Sequence, residues 1–199
     1  MNARHWLLAG LLAGASTAQA VTIFSDNFDA DTLGLNYNAF LGGWTVSDGT
    51  VDLIGAPGFF DLHPGNGRYV DLDGSTSNAG VLSKSLMLTG GVTYSASFDL
   101  GGSKRGDTNV VDVAFGSTLD SFTLLSADAY TSSTLMFTPG SSGLYTLSFA
   151  NVGGDNLGAI LDNVVVASQT AVIPEPSTYA LMLGGLALVG ALARRRGRI

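Results

Sequence analysis

The chain has 199 residues, a net charge of −7 and no cysteine. Between Val21 and Ile173, four basic residues (Arg68, Lys84, Lys104 and Arg105) stand against fifteen aspartates and no glutamate, a net of −11. So acidic a middle excludes nucleic acid as a partner, because phosphates need Lys and Arg. The missing cysteines exclude a disulfide framework and thiolate metal sites.

The first twenty residues, MNARHWLLAGLLAGASTAQA, have a basic start at Arg4, an apolar run from Trp6 to Ala15, and Ala18-Gln19-Ala20 at the close. That is the layout of a secretory signal peptide with an A-x-A cleavage site. Signal peptidase is the expected partner, cutting after Ala20 so that Val21 becomes the first mature residue. The apolar run is too short to serve as a membrane anchor.

From residue 21 onward, period-two patterning recurs. Tyr94, Ala96, Phe98 and Leu100 alternate with Ser95, Ser97 and Asp99; Val111, Val113 and Phe115 flank Asp112 and Ala114; Tyr145, Leu147 and Phe149 alternate with Thr146 and Ser148. Alternation of this kind marks strands with one face in a core. Turn signals separate them at Ser47-Asp48-Gly49, Pro64-Gly65-Asn66-Gly67, Thr89-Gly90-Gly91, Pro139-Gly140 and Gly153-Gly154. The pattern predicts nine or ten strands, drawn from segments near 22–28, 44–47, 50–54, 68–73, 80–88, 92–100, 109–116, 119–126, 130–138, 143–150 and 160–167, one or two of which merge. No helical period interrupts them, and a parallel sheet needs helical crossovers. The expected fold is all-β, a two-sheet antiparallel sandwich.

Four segments, GGWTVSDGTVDLIG, GNGRYVDLDGS, YSASFDLGG and AILDNVVV, follow one another in an order that resembles galactose-binding-like jelly rolls. The stretch from Gly67 through Tyr69, Asp71 and Asp73 to Gly74 is particularly similar to a group of extracellular domains. The resemblance implies a jelly roll that binds carbohydrate or adheres, often with a structural calcium ion. It maps the calcium ligands onto Asp26 and Asp29, with Asp31 nearby, and onto Asp162. Calcium takes six to eight oxygens, which Asp and Asn in loops can supply. Asp162 adds a physical reason, since a carboxylate in a strand apolar on both sides must be paired or coordinated. The plainer alternative is that the early aspartates shape a turn and Asp162 accepts backbone N–H groups.

Sugar binding calls for an aromatic platform and hydrogen-bonding side chains. The candidates are Trp44, Phe59, Phe60, Tyr69, Asp71 and Asp73, with Tyr130 as a further aromatic. Phe59 and Phe60 lie side by side in the Pro/Gly-rich stretch GAPGFFDLHPGNG, whereas Trp44 follows Gly42-Gly43 at the start of a strand, where core tryptophans are common. Catalysis has little support. His63 is the one histidine after the leader, no Gly-x-Ser-x-Gly elbow occurs, and no catalytic residue is assigned. Asp71, Asp73 and Asp99 could supply a carboxylate pair for a polysaccharide-active enzyme. Arg105-Gly106-Asp107 reads as a turn rather than an adhesion tripeptide.

The last stretch, VIPEPSTYALMLGGLALVGALARRRGRI, places Pro174-Glu175-Pro176 before an apolar run and Arg194-Arg195-Arg196 after it. The apolar residues 179–193 predict a transmembrane helix of about 23–26 Å, with the arginines kept in the cytoplasm. Motif, helix and arginines in this order resemble the PEP-CTERM sorting signal of Gram-negative bacteria. The resemblance implies cutting near Pro174-Glu175-Pro176 by an exosortase-type membrane protease. The expected plan is a signal peptide over 1–20, a sandwich over 21–170, a linker over 171–178, a membrane helix over 179–193 that anchors the precursor, and a basic tail over 194–199. The expected role is an exported, non-enzymatic polysaccharide-binding or structural module at the cell surface or in an exopolysaccharide matrix, with the enzyme or a plain adhesin as alternatives.

Overall fold

In the computed structural model, residues 19–170 and 176–196 are described. The expected signal peptide up to Ala18, and Pro174 and Glu175, lie outside them. Ala171–Ile173 and Gly197–Ile199 do as well.

Among the described residues eleven strands form: β1 (Gln19–Asp26), β2 (Thr45–Ser47), β3 (Asp52–Gly55), β4 (Arg68–Asp71), β5 (Val81–Leu88), β6 (Thr93–Gly101), β7 (Thr108–Phe115), β8 (Thr118–Leu125), β9 (Thr131–Phe137), β10 (Gly143–Val152) and β11 (Ile160–Thr170). None of the predicted segments merges. The first strand starts at Gln19, so the residues flanking the expected cleavage point belong to it, and Ala20 is exposed.

One sheet runs β3-β4-β11-β6-β9, with β1 also paired to β11; the other runs β2-β5-β10-β7-β8. The two-sheet antiparallel sandwich is therefore as the alternation predicts. Tyr94, Ala96, Phe98 and Leu100 of β6, Val111, Val113 and Phe115 of β7, and Leu147 and Phe149 of β10 all point into one core. Trp44 joins them, 5 % exposed and packed on Phe28 and Phe149. Its indole Nε1 donates to Asp26 Oδ2 (2.9 Å). A buried indole with a satisfied N–H is a packing residue, which corrects the expectation that Trp44 binds ligand.

The strand β11 departs from simple alternation. Its register with β6 shifts between Asp162 and Val165, and Asn163 there takes a left-handed φ of 50°. A bulge of this kind re-aims side chains. Leu161, Val164 and Val166 face the core, while Ile160 packs on the opposite face of the sheet with Ile54 and Tyr69.

That outer face is partly roofed. The connection from β3 to β4, residues 56–67, folds back so that Phe59 and Leu62 cover Ile54, Tyr69 and Ile160, with Tyr130 closing the far side. Tyr69 fixes this roof: its hydroxyl accepts from the His63 backbone N–H (2.9 Å) and donates to Asp61 Oδ1 (3.1 Å).

By itself, the C-terminal segment is one helix, α1 (Pro176–Arg196), longer at both ends than the expected 179–193. Arg194, Arg195 and Arg196 form its last turn, where cations complement the helix dipole. Among the described residues no helix is long and apolar enough to cross a membrane. The expectation of a transmembrane helix over 179–193 therefore has no support among the described residues.

Candidate functional site

The site begins with a repeated tripeptide. Val51-Asp52-Leu53 and Val70-Asp71-Leu72 enter neighbouring antiparallel strands, and Asp52 pairs directly with Asp71. In each tripeptide the Val and Leu are buried in the main core. Alternation then sends both aspartates to the roofed outer face. Ile160 is the next partner across the sheet, opposite Asp71, and Gly101 follows it.

These aspartates form the floor of a pocket of about 180 Å3. Leu35 comes from the β1–β2 connection, Phe60 and Leu62 from the β3–β4 roof, Ser75 from β4–β5, Arg105 from β6–β7, and Asn156 and Leu157 from β10–β11. Phe60 is 60 % exposed and Leu35 44 %, so both offer apolar surface at the opening.

The two carboxylates have different surroundings. Asp52 accepts from the Asn36 N–H (2.7 Å), the Ser75 N–H (3.1 Å) and the Ser75 hydroxyl (2.6 Å), which ties two loops to the floor. Asp71 accepts the Asp73 N–H (3.1 Å) on one oxygen and pairs with Arg105 Nη2 at 2.6 Å on the other. Burial pushes the Asp71 carboxyl up to about 7; the Arg105 guanidinium opposes this and the Asp52 charge adds to it. Arg105 also donates to Asn156 O (3.0 Å) and Gly158 O (3.3 Å), while its Nε is buried with no partner.

Asp73 acts one step behind. It is fully buried, and its Oδ2 accepts the Asp155 N–H (3.1 Å), which holds the 155–158 loop against Arg105. Gly158 allows this approach, since a Cβ there would collide with the Asp73 backbone and the Asp71 carboxylate. Burial raises the Asp73 carboxyl, with the nearby Asp155 charge assisting.

Of the sequence candidates, the structure brings Phe60 and Asp71 into the pocket, and places Asp73, Phe59 and Tyr69 in its supports. Burial pushes the Tyr69 hydroxyl up to about 12. Asp52, Ser75, Arg105 and Asn156 were not among those candidates. The repeated Val-Asp-Leu is the signal that could have found Asp52. Arg105 was in view only as part of Arg105-Gly106-Asp107. Its guanidinium is turned into the pocket and Asp107 bonds to Ser103 and Asn109, so no exposed tripeptide is presented.

His63 lies behind the roof, 6 % exposed, between Tyr69 and Tyr130. Its Nε2 donates to Gly102 O (2.7 Å), since a carbonyl can only accept. Burial lowers its pKa, Lys104 adding to the effect while the Gly102 bond and Asp61 oppose it. Asp99 is elsewhere, bonded to Ser132 and to Asn163 Nδ2 (3.0 Å).

The aspartates expected to hold calcium sit in a different corner. Asp26 accepts from Trp44 and from the Phe28 N–H (2.9 Å), Asp29 from the Arg68 N–H (2.8 Å) and Asn27 (2.8 Å), and Asp162 from the Asn163 N–H (2.7 Å). Asp31 accepts from the Leu41 N–H (2.6 Å). Burial pushes Asp162 up to about 7, the charges of Asp29, Asp99 and Asp26 adding to it and the Asn163 bond opposing. Among the described residues no group of three acidic or histidine side chains is arranged to hold a metal ion. Each of these carboxylates accepts at least one N–H donor.

Residues 172–196 match the family model described as the PEP-CTERM protein-sorting motif. The chain carries a PEP-CTERM sorting motif. No curated protein matches the chain. The sandwich is similar to the CBM22-1 xylan-binding domain of Paenibacillus barcinonensis Xyn10C, at 14 % identity and a TM-score of 0.56 over 79 % of this chain and 100 % of that one. It is similar also to the K3 cleaved adhesin domain of Lys-gingipain from Porphyromonas gingivalis W83, at 14 % identity and 0.51 over 75 % and 99 %. The tandem CBM22-1-CBM22-2 domain of the same Xyn10C matches at 15 % identity and 0.52 over 82 % of this chain and 49 % of that one. The chain spans 29 % of the length of a Clostridium thermocellum xylanase 10B chain that it also matches, at 16 % identity and 0.49 over 76 % of this chain. At these identities the likeness shows the fold.

Proposed function

We propose that the sandwich is an exported, non-catalytic polysaccharide-binding module, and that the Asp52–Asp71–Arg105 pocket is where it binds. The pocket geometry carries this reading. Exposed Phe60 offers an aromatic face beside two carboxylates and a guanidinium, the mix of apolar wall and few convergent polar groups that defines a small-ligand site. The fold shared with a xylan-binding domain is consistent with it.

An enzyme built on paired aspartates is less well supported. Asp52 takes three hydrogen bonds and Asp71 is paired with Arg105, so both carboxylates fasten loops to the pocket floor. Affinity electrophoresis through gels containing soluble polysaccharides tests the binding reading. Retardation of the wild type that Phe60→Ala abolishes supports it; equal mobility in every gel refutes it.

The tail has its own role in this proposal. Pro174-Glu175-Pro176 and the Arg-ended helix direct export and processing by an exosortase-type protease, leaving the sandwich at the cell surface or in an exopolysaccharide matrix. Support comes from the match over residues 172–196. Intact-mass measurement of surface protein should find Arg194, Arg195 and Arg196 gone, and finding them retained would refute processing.

A further inference from the structure

We propose that the pocket holds a single neutral sugar ring, the end or a branch of a glycan, rather than a run of residues inside a chain. This rests on the reading of the pocket as the polysaccharide site and narrows it to a ligand class.

Enclosure is the first observation. The floor belongs to β3 and β4, and five different connections contribute to the walls. A polymer bound along its length needs an open path in and out of the site, whereas walls drawn from five connections suit a ligand that enters end-on. Size agrees with enclosure. A volume of about 180 Å3 falls below the range of roughly 300–1,000 Å3 usual for drug-sized ligands. One ring fits that space and a chain segment does not.

Charge selects among rings. Asp52 and Asp71 lie on the floor against one guanidinium, which Asp71 already occupies. A uronic acid would bring a further carboxylate into this enclosure, inside a domain whose net charge is −11 between Val21 and Ile173. Like charges at short range in a poorly solvated site repel strongly. Hydroxyl groups meet no such barrier: the carboxylate oxygens accept O–H donors, and the partly exposed Arg105 guanidinium can donate to a sugar oxygen through the Nη1 hydrogen that Asn156 O does not take. The exposed ring of Phe60 would lie against the apolar face of the pyranose.

The test is a glycan array probed with the full chain, followed by titration of the best ligand as oligosaccharides of two to six residues. Binding should follow one neutral terminal or branch residue whatever lies behind it, with affinity nearly constant along the length series, and Phe60→Ala should remove it. An affinity climbing by about tenfold or more across the series, or preference for uronate-bearing glycans, would overturn the single-ring proposal while leaving polysaccharide binding intact. Absence of binding to every glycan would overturn both.

Discussion

Asp52 and Asp71 face each other across β3 and β4, yet only Asp71 has a cation, Arg105 at 2.6 Å. Asp52 is held instead by dipoles, two backbone N–H groups and a serine hydroxyl. The pair thus combines a carboxylate stabilised locally by N–H donors with one whose ionisation depends on a loop residue. Because Arg105 also grips Asn156 and Gly158, the β6–β7 and β10–β11 loops are fastened to the floor through Asp71.

Arg105→Ala should therefore cost stability as well as binding. Removing one partner of a buried ion pair costs about 3–5 kcal/mol. With the Arg105 side chain 26 % exposed, the expected loss at pH 8 is about 2 kcal/mol. The loss should shrink at pH 5, where an unpaired Asp71 is protonated. Urea denaturation of both proteins at the two pH values checks this, and equal losses would refute the role given to Asp71.

Stability should be greatest in mildly acid solution. Asp71 and Asp162 are raised to about 7 in the folded chain and titrate near 3.9 when unfolded. Between those values the folded state binds more protons, so stability falls as pH rises from about 4 to 7 and levels off above. Asp73, also raised, acts in the same sense. His63 opposes them: its folded pKa is lowered, so its contribution is lost as pH falls below about 6.5. The carboxyls outnumber it, and a melting temperature higher near pH 5 than at pH 8 is expected. A melting temperature that climbs steadily to pH 8 would contradict these assignments. Asp162→Asn should flatten the profile.

Calcium at Asp26, Asp29 and Asp162 stands as a proposal with a direct test. A cation would relieve the repulsion that raises Asp162, but the oxygens now accept N–H groups and must turn to coordinate it. The proposal predicts a melting temperature that falls in chelator, and one indifferent to chelator would refute it. A fall of several degrees in EDTA, restored by calcium and absent in Asp162→Asn, would show that the corner rearranges around an ion.

Trp44 gives an optical check on the core assignment. Its emission should be blue-shifted, shielded from iodide and unchanged by any glycan ligand, because the ring packs on Phe28 and Phe149. Truncation to alanine should cost about 3–5 kcal/mol. Quenching of Trp44 on ligand binding would place the site elsewhere.

The strands were legible because each buries one face. Residues 94–100 and 111–115 state their inward positions by alternation, and the structure follows them. The C-terminal helix was legible from its apolar run, and α1 extends beyond it at both ends to take in the three arginines. The pocket was half legible. Phe60 is marked by its Pro/Gly-rich loop and Asp71 by its strand, but Arg105 and Asn156 reach the site through loops about 35 and 85 residues away from Asp71 in the chain. Pairings over such separations depend on topology, which local periodicity does not encode. Asp162 shows a related limit: a bulge, invisible to a period-two count, sets which face its neighbours take.

The central claim, that this pocket is the binding site, is tested most directly by nuclear magnetic resonance of the labelled protein during titration with the glycan the array selects. The Arg105 Nε–H signal and the amides of Phe60, Ser75, Asn156 and Leu157 should shift together and saturate with one dissociation constant. Shifts confined instead to the exposed face of the β2-β5-β10-β7-β8 sheet, with Arg105 unmoved, would contradict it.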